Sequence, residues 1–104
     1  MHPVPKRRGA ELWDSLLDSV PKALPALMRA AKLQKRAARG GVTVTTDPAE
    51  LETLARRVEA GDNAEAALGE LLFKTAALAR LAGLDPEQAL QKANAAFTAA
   101  PHQL

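Results

Sequence analysis

The sequence of 104 residues has no cysteine and no tyrosine, one tryptophan, two phenylalanines and two histidines. Without cysteine there is no disulfide, no thiolate nucleophile and no Cys-ligated zinc or iron–sulfur centre. His2 and His102 lie at the extremes of the chain. That excludes a His-rich metal site and a Ser-His-Asp triad held on rigid elements. No apolar run approaches the roughly 18 residues that suggest a membrane span. No apolar segment of signal-peptide type follows Met1, so the expected location is cytoplasmic. Aromatic and β-branched residues, which favour strands, are scarce.

Good helix formers fill the space. Alanine occurs 23 times and leucine 16 times, with Arg, Glu, Lys and Gln making up much of the rest. The expected fold class is all-α, and the length suits one domain. Residues 1–9, with two prolines and the run Lys6-Arg7-Arg8, read as a flexible basic tail ahead of a single domain at 10–104. The net charge of +2 conceals a segregation. Residues 19–46 carry six bases and no acid, whereas residues 47–104 carry nine acids and five bases. With so few aromatics to stack bases, a nucleic-acid partner is not expected.

Residues 11–18 read as a short helix with Trp13 as a packing anchor. A helix from Pro25 to Arg39 follows, with Leu24, Leu27, Met28 and Ala31 as its buried stripe and Gly40-Gly41 as its end. Residues 42–46 (VTVTT) are β-prone but lack a partner strand, which favours an extended loop. Three helix starts then share one device: Asp47, Asp62 and Asp85 as N-caps, each with Glu or Gln three residues on, where the N3 side chain reaches back to the N-cap N–H. The helix over 63–82 is apolar nearly all round, through Leu68, Leu71, Leu72, Phe73, Ala76, Ala77, Leu78, Ala79 and Leu81. Such a helix is buried nearly all round. In a chain this small that implies a homodimer or higher homo-oligomer assembled through helix 63–82. The last helix, from Pro86 to about Ala100, turns Ala89, Leu90, Ala93 and Phe97 inward.

Residues 20–39 (VPKALPALMRAAKLQKRAAR) and 68–97 (LGELLFKTAALARLAGLDPEQALQKANAAF) resemble the MazG-type nucleoside triphosphate pyrophosphohydrolase family. The resemblance rests on LPALMRA, KLQKRAAR, LDPEQAL and Ala-Asn, in order and in register over some 80 residues. It implies a helical bundle of about four to five helices, assembled from two subunits. It also implies Mg²⁺-dependent cleavage of an NTP to NMP and pyrophosphate. The family holds Mg²⁺ with an EExxE motif on one helix facing an ExxD motif on the next; carboxylates at i, i+3 and i+4 share a helix face.

Carried over residue by residue, EExxE falls on Ala49, Glu50 and Thr53, and ExxD on Ala67 and Glu70. Two carboxylates, Glu50 and Glu70, stand where the family pattern has five. Bases that follow the family's Asn are absent after Asn94. The first helix keeps Lys32, Lys35, Arg36 and Arg39 on one face. The resemblance therefore implies a pyrophosphohydrolase-family protein with an impaired or lost active site. Its residual candidates are Glu50 and Glu70 for a weak Mg²⁺, and Lys32, Lys35, Arg36 and Asn94 for substrate. Each also has a structural explanation. Glu50 is an N3 capping residue, the basic face can be solvated or salt-bridged, and Asn94 reads equally as a buried amide. Glu70, in an apolar helix, reads as partly buried and in need of a metal or of a base such as Lys32 or Lys35. Three further readings stay open: weak turnover through Glu50 and Glu70, a non-enzymatic binding or regulatory module, and pairing with an active paralogue that supplies the missing carboxylates.

Overall fold

The computed structural model describes residues 12–100. Those residues form five helices and no strand: α1 (residues 12–18), α2 (Ala26–Arg39), α3 (Pro48–Ala60), α4 (Ala64–Leu81) and α5 (Pro86–Ala99). This is the all-α bundle expected from composition. The β-prone stretch is irregular over residues 42–47. The basic tail at 1–9 and both histidines lie outside the described residues.

Two of the three Asp N-caps are as expected, without the reach-back of the N3 side chain among the described residues. The Asp47 carboxylate accepts the Glu50 N–H at 2.9 Å, and the Asp85 carboxylate accepts the Gln88 N–H at 3.1 Å. Both helices carry Pro at their first position, where the missing N–H costs nothing. The third expectation is corrected, because the N-cap of α4 is Asn63 rather than Asp62, and its side chain makes no capping bond. Asp62 is already committed to closing α3. Its N–H donates to the Arg57 carbonyl at 3.0 Å while Gly61 donates to Val58 at 3.2 Å. This Schellman closure needs a left-handed residue, supplied by Gly61 at φ +73°. Gly83, at φ +76°, closes α4 by the same pattern.

α4 is the support of the bundle. α2, α3 and α5 all pack on it, and α2 also meets α5. The most deeply buried positions of α4 are small: Ala67, Ala76 and Ala77 are 0–1% exposed. Leu54 of α3, Ala37 of α2 and Val20 of the α1–α2 turn complete the buried apolar set among the described residues. The expected α2 stripe is only half-buried, and the helix is instead buried deepest at Gln34 and Ala37. Trp13 and Leu16 lie over Gly40, where an added Cβ would meet the Leu16 Cδ2 at 3.0 Å, so Trp13 does anchor α1.

α5 departs from expectation. None of its residues is buried, and residues 88–99 are all exposed. Ala89, Leu90, Ala93 and Phe97 are therefore not buried as expected, although Leu90 lines an open apolar groove with Leu27 of α2 and Leu72 and Phe73 of α4. The helix touches its neighbours, and its half-buried residues, Pro86 and Glu87, lie in its first turn. On α4, Leu68, Leu72, Leu78 and Leu81 are likewise exposed. Among the described residues, these faces of α4 and α5 are left uncovered.

Leu54 is the buried anchor of α3. Leu54→Ala should lower stability by about 2–4 kcal/mol in urea denaturation. A loss below about 1 kcal/mol would mean that α3 is not anchored there.

Candidate functional site

The positions that the resemblance assigns to metal, 49, 50, 53, 67 and 70, lie on α3 and α4. Glu50 is half-buried at the start of α3, and both its carboxylate oxygens have protein donors. Oε1 accepts the Thr46 hydroxyl at 2.9 Å. Oε2 lies 3.2 Å from the Lys74 ammonium of α4. The N3 carboxylate thus turns to Thr46 and Lys74 instead of back to the N-cap N–H. Lys74 also donates to the Thr45 carbonyl at 3.0 Å. The Thr53 hydroxyl donates to the Ala49 carbonyl at 3.1 Å, inside its own helix. Ala67 shares Lys74's face of α4 seven residues earlier and is buried, so a methyl group fills a position where the family has a carboxylate.

Glu70 corrects an expectation. It is exposed rather than partly buried, and no bond joins it to Lys32 or Lys35 among the described residues. No group of three or more His, Cys, Asp or Glu side chains placed to hold a metal occurs among them. Mg²⁺ wants near-octahedral oxygen ligation at short distance. One carboxylate paired with an ammonium, and a second standing alone, do not fit the ions that the family resemblance implies. Glu52, one position out of register, pairs with Arg56 on the surface at 3.2 Å.

The basic face of α2 divides. Lys32 and Lys35 line a cavity of about 380 Å³ with Met28 and Ala31 of α2, Arg80 of α4, and the turn Gly83–Pro86. Arg36 does not join them: its Nη1 donates to the Ser19 hydroxyl at 2.6 Å and ties α2 to the end of α1. Asn94 lies on the exposed part of α5. It is neither a buried amide nor a lining residue of that cavity.

The residues that organise this region are Gln34, Lys74 and Arg80, none of them singled out by the sequence reading. Gln34, 1% exposed, donates to the Phe73 carbonyl at 3.0 Å and accepts from Arg80 Nε at 3.4 Å. The buried amide is thereby satisfied at both ends. Arg80 Nη2 donates to the Val44 carbonyl at 2.6 Å. Lys74 and Arg80 thus hold neighbouring carbonyls of the 42–47 loop against α4. The signal for them was available, since both are bases inside an apolar helix that demand partners just as Glu70 seemed to.

With this geometry in hand, comparison places the chain among known proteins. It matches the nucleoside triphosphate pyrophosphohydrolases of Escherichia coli strain K12 and of Escherichia coli O157:H7. Each is 39% identical over 103 residues, an alignment that takes in 88% of the chain. The chain spans 39% of the length of these curated relatives. No family model matches it, and no solved structure does. The chain is an all-α protein related to the MazG-type nucleoside triphosphate pyrophosphohydrolases, as residues 20–39 and 68–97 suggested. Among the described residues, no helix is long and apolar enough to cross a membrane.

Arg80→Met removes the donor to Val44 and leaves the Gln34 oxygen unpaired. The expected cost is about 1–3 kcal/mol in urea denaturation. A loss below about 0.5 kcal/mol would mean that the loop is not held through Arg80.

Proposed function

We propose that this chain is a helical module of nucleoside triphosphate pyrophosphohydrolase type whose hydrolytic site is impaired or lost, and that it keeps a basic cavity for a phosphorylated ligand. The observation that carries this reading is the use made of the metal-facing positions. Ala67 is buried, the Thr53 hydroxyl is spent on its own helix, and Glu50 is committed to Thr46 and Lys74. The family reaction, NTP and water to NMP and pyrophosphate, depends on divalent ions to neutralise the triphosphate and activate water. Stripped of that donor set, the face keeps its packing and loses its chemistry. The cavity between α2 and the α4–α5 turn is net basic, with Lys32, Lys35 and Arg80 against Asp85. Its size suits the phosphate chain of a nucleotide. A nucleotide ligand also fits a cytoplasmic location.

The module works as a homodimer in this reading. Leu90 and Phe97, 46% and 49% exposed, lie on one stripe of α5 with Ala93. A 14-residue helix is marginal in water on its own, and a second copy supplies the cover that this chain does not. Small residues along the stripe allow close approach.

The activity test incubates the purified chain with the eight common NTPs and dNTPs, with Mg²⁺ or Mn²⁺, and separates products by ion-exchange chromatography. The expected result is no NMP and pyrophosphate above a protein-free control, with Glu70→Ala identical to wild type. Release of both products, lost in Glu70→Ala, would establish a working reduced site. For the dimer, sedimentation equilibrium should give twice the chain mass. Leu90→Glu with Phe97→Glu should weaken association about a hundredfold, the equivalent of roughly 3 kcal/mol. A wild-type monomer at about 100 µM, a concentration at which the bound state at a Kd of 1 µM would dominate, would contradict it.

A further inference from the structure

Lys74 stands out once the metal positions are mapped. Its ammonium faces a carboxylate oxygen of Glu50 at 3.2 Å and the Thr45 carbonyl at 3.0 Å. These are hard oxygen acceptors of the kind a small divalent cation takes. The side chain is largely sheltered, at 21% exposure, and Glu50 at 38%. The second oxygen of Glu50 is closed off by the Thr46 hydroxyl. Glu70 lies one turn before Lys74 on the same helix, in the i, i+4 order in which an acid ahead of a base is favoured. Positive charge tethered to α4 therefore stands against Glu50, while Glu70 lies exposed one turn earlier on the same helix.

We propose that Lys74 is a built-in cation: its ammonium takes the place of a divalent ion against Glu50, latches the start of α3 and the 42–47 loop to α4, and bars metal from the site. This rests on the reading that the α3–α4 face corresponds to the family's metal face, and it deepens that reading. A divalent ion reaching Glu50 at about 2.1 Å would sit beside the ammonium and be repelled by it. The pairing instead gives the bundle a join between α3, the loop and α4 that needs no metal.

The test titrates the full chain with Mn²⁺, with free Mn²⁺ read by electron paramagnetic resonance, and records thermal unfolding with Mg²⁺ or with EDTA. Wild type should show no saturable Mn²⁺ site in the absence of nucleotide and the same Tm in both solutions. Lys74→Ala should lower Tm by about 4 °C, as expected for a partly exposed pair. It should also open a weak Mn²⁺ site that disappears in Lys74→Ala/Glu50→Gln. If Lys74→Ala does not fold, Lys74→Met replaces it, and the comparison of wild type with Glu50→Gln is decisive by itself. Saturable Mn²⁺ binding by wild type that Glu50→Gln abolishes would overturn the proposal. So would a Lys74 variant unchanged in both Tm and metal binding. The outcome separates from that of the functional reading. Turnover by a wild type that binds no Mn²⁺ without nucleotide would defeat the impaired-site reading and leave the latch standing. Glu50-dependent Mn²⁺ binding without turnover would do the reverse.

Discussion

The bundle depends on α4 being narrow where other helices cross it. Ala67, Ala76 and Ala77 are almost wholly buried, and side chains this small let neighbouring helices approach closely. The same choice shapes the chemistry. At position 67 a methyl group helps to close the α3–α4 contact where the resemblance would put a metal-binding carboxylate. In the proposed reading, packing and loss of ligation are one feature seen from two sides, because alanine keeps a helix and carries no side-chain chemistry.

Charge inside an apolar helix is costly unless partnered, and α4 carries two such bases among its inner positions. Both find acceptors on the same loop: Lys74 on Thr45, Arg80 on Val44. Each also ties a second element, Glu50 of α3 and Gln34 of α2 respectively. An irregular segment with no strand partner of its own is thus fixed by side chains. The α2–α3 connection becomes part of the bundle, and Glu50 is drawn into a structural task. In the proposed reading, this face differs from a metal site in where its positive charge comes from. Here it is covalently attached to the helix, whereas the family resemblance calls for bound ions.

Much of this was legible in the sequence, for identifiable reasons. Helix positions followed from capping and from glycine, since Asp47-Pro48 and Asp85-Pro86 are local signals and Gly61 and Gly83 mark left-handed ends. The resemblance assigns family carboxylates to positions 49, 53 and 67, where this chain has Ala, Thr and Ala. The failures are nonlocal. Asp62 looks like a cap until the three-residue link makes it serve the preceding helix. Glu70 looks buried because its helix is apolar, but it falls on an open side. Leu90, Ala93 and Phe97 form a proper inward stripe that the described residues leave exposed. Gln34, Lys74 and Arg80 meet their partners 24 to 46 residues away, beyond what periodicity can pair.

In the proposed reading, recognition of phosphate and binding of metal have come apart in this chain. The most direct measurement is a pair of titrations of the isotope-labelled protein, one with a nucleoside triphosphate alone and one with Mg²⁺ alone, followed by backbone amide chemical shifts. The account predicts saturable shifts around Lys32, Lys35 and Arg80 with the nucleotide, and none around Glu50 and Glu70 with Mg²⁺. Saturable Mg²⁺ shifts at Glu50 and Glu70, with the α2 face unmoved by nucleotide, would contradict it.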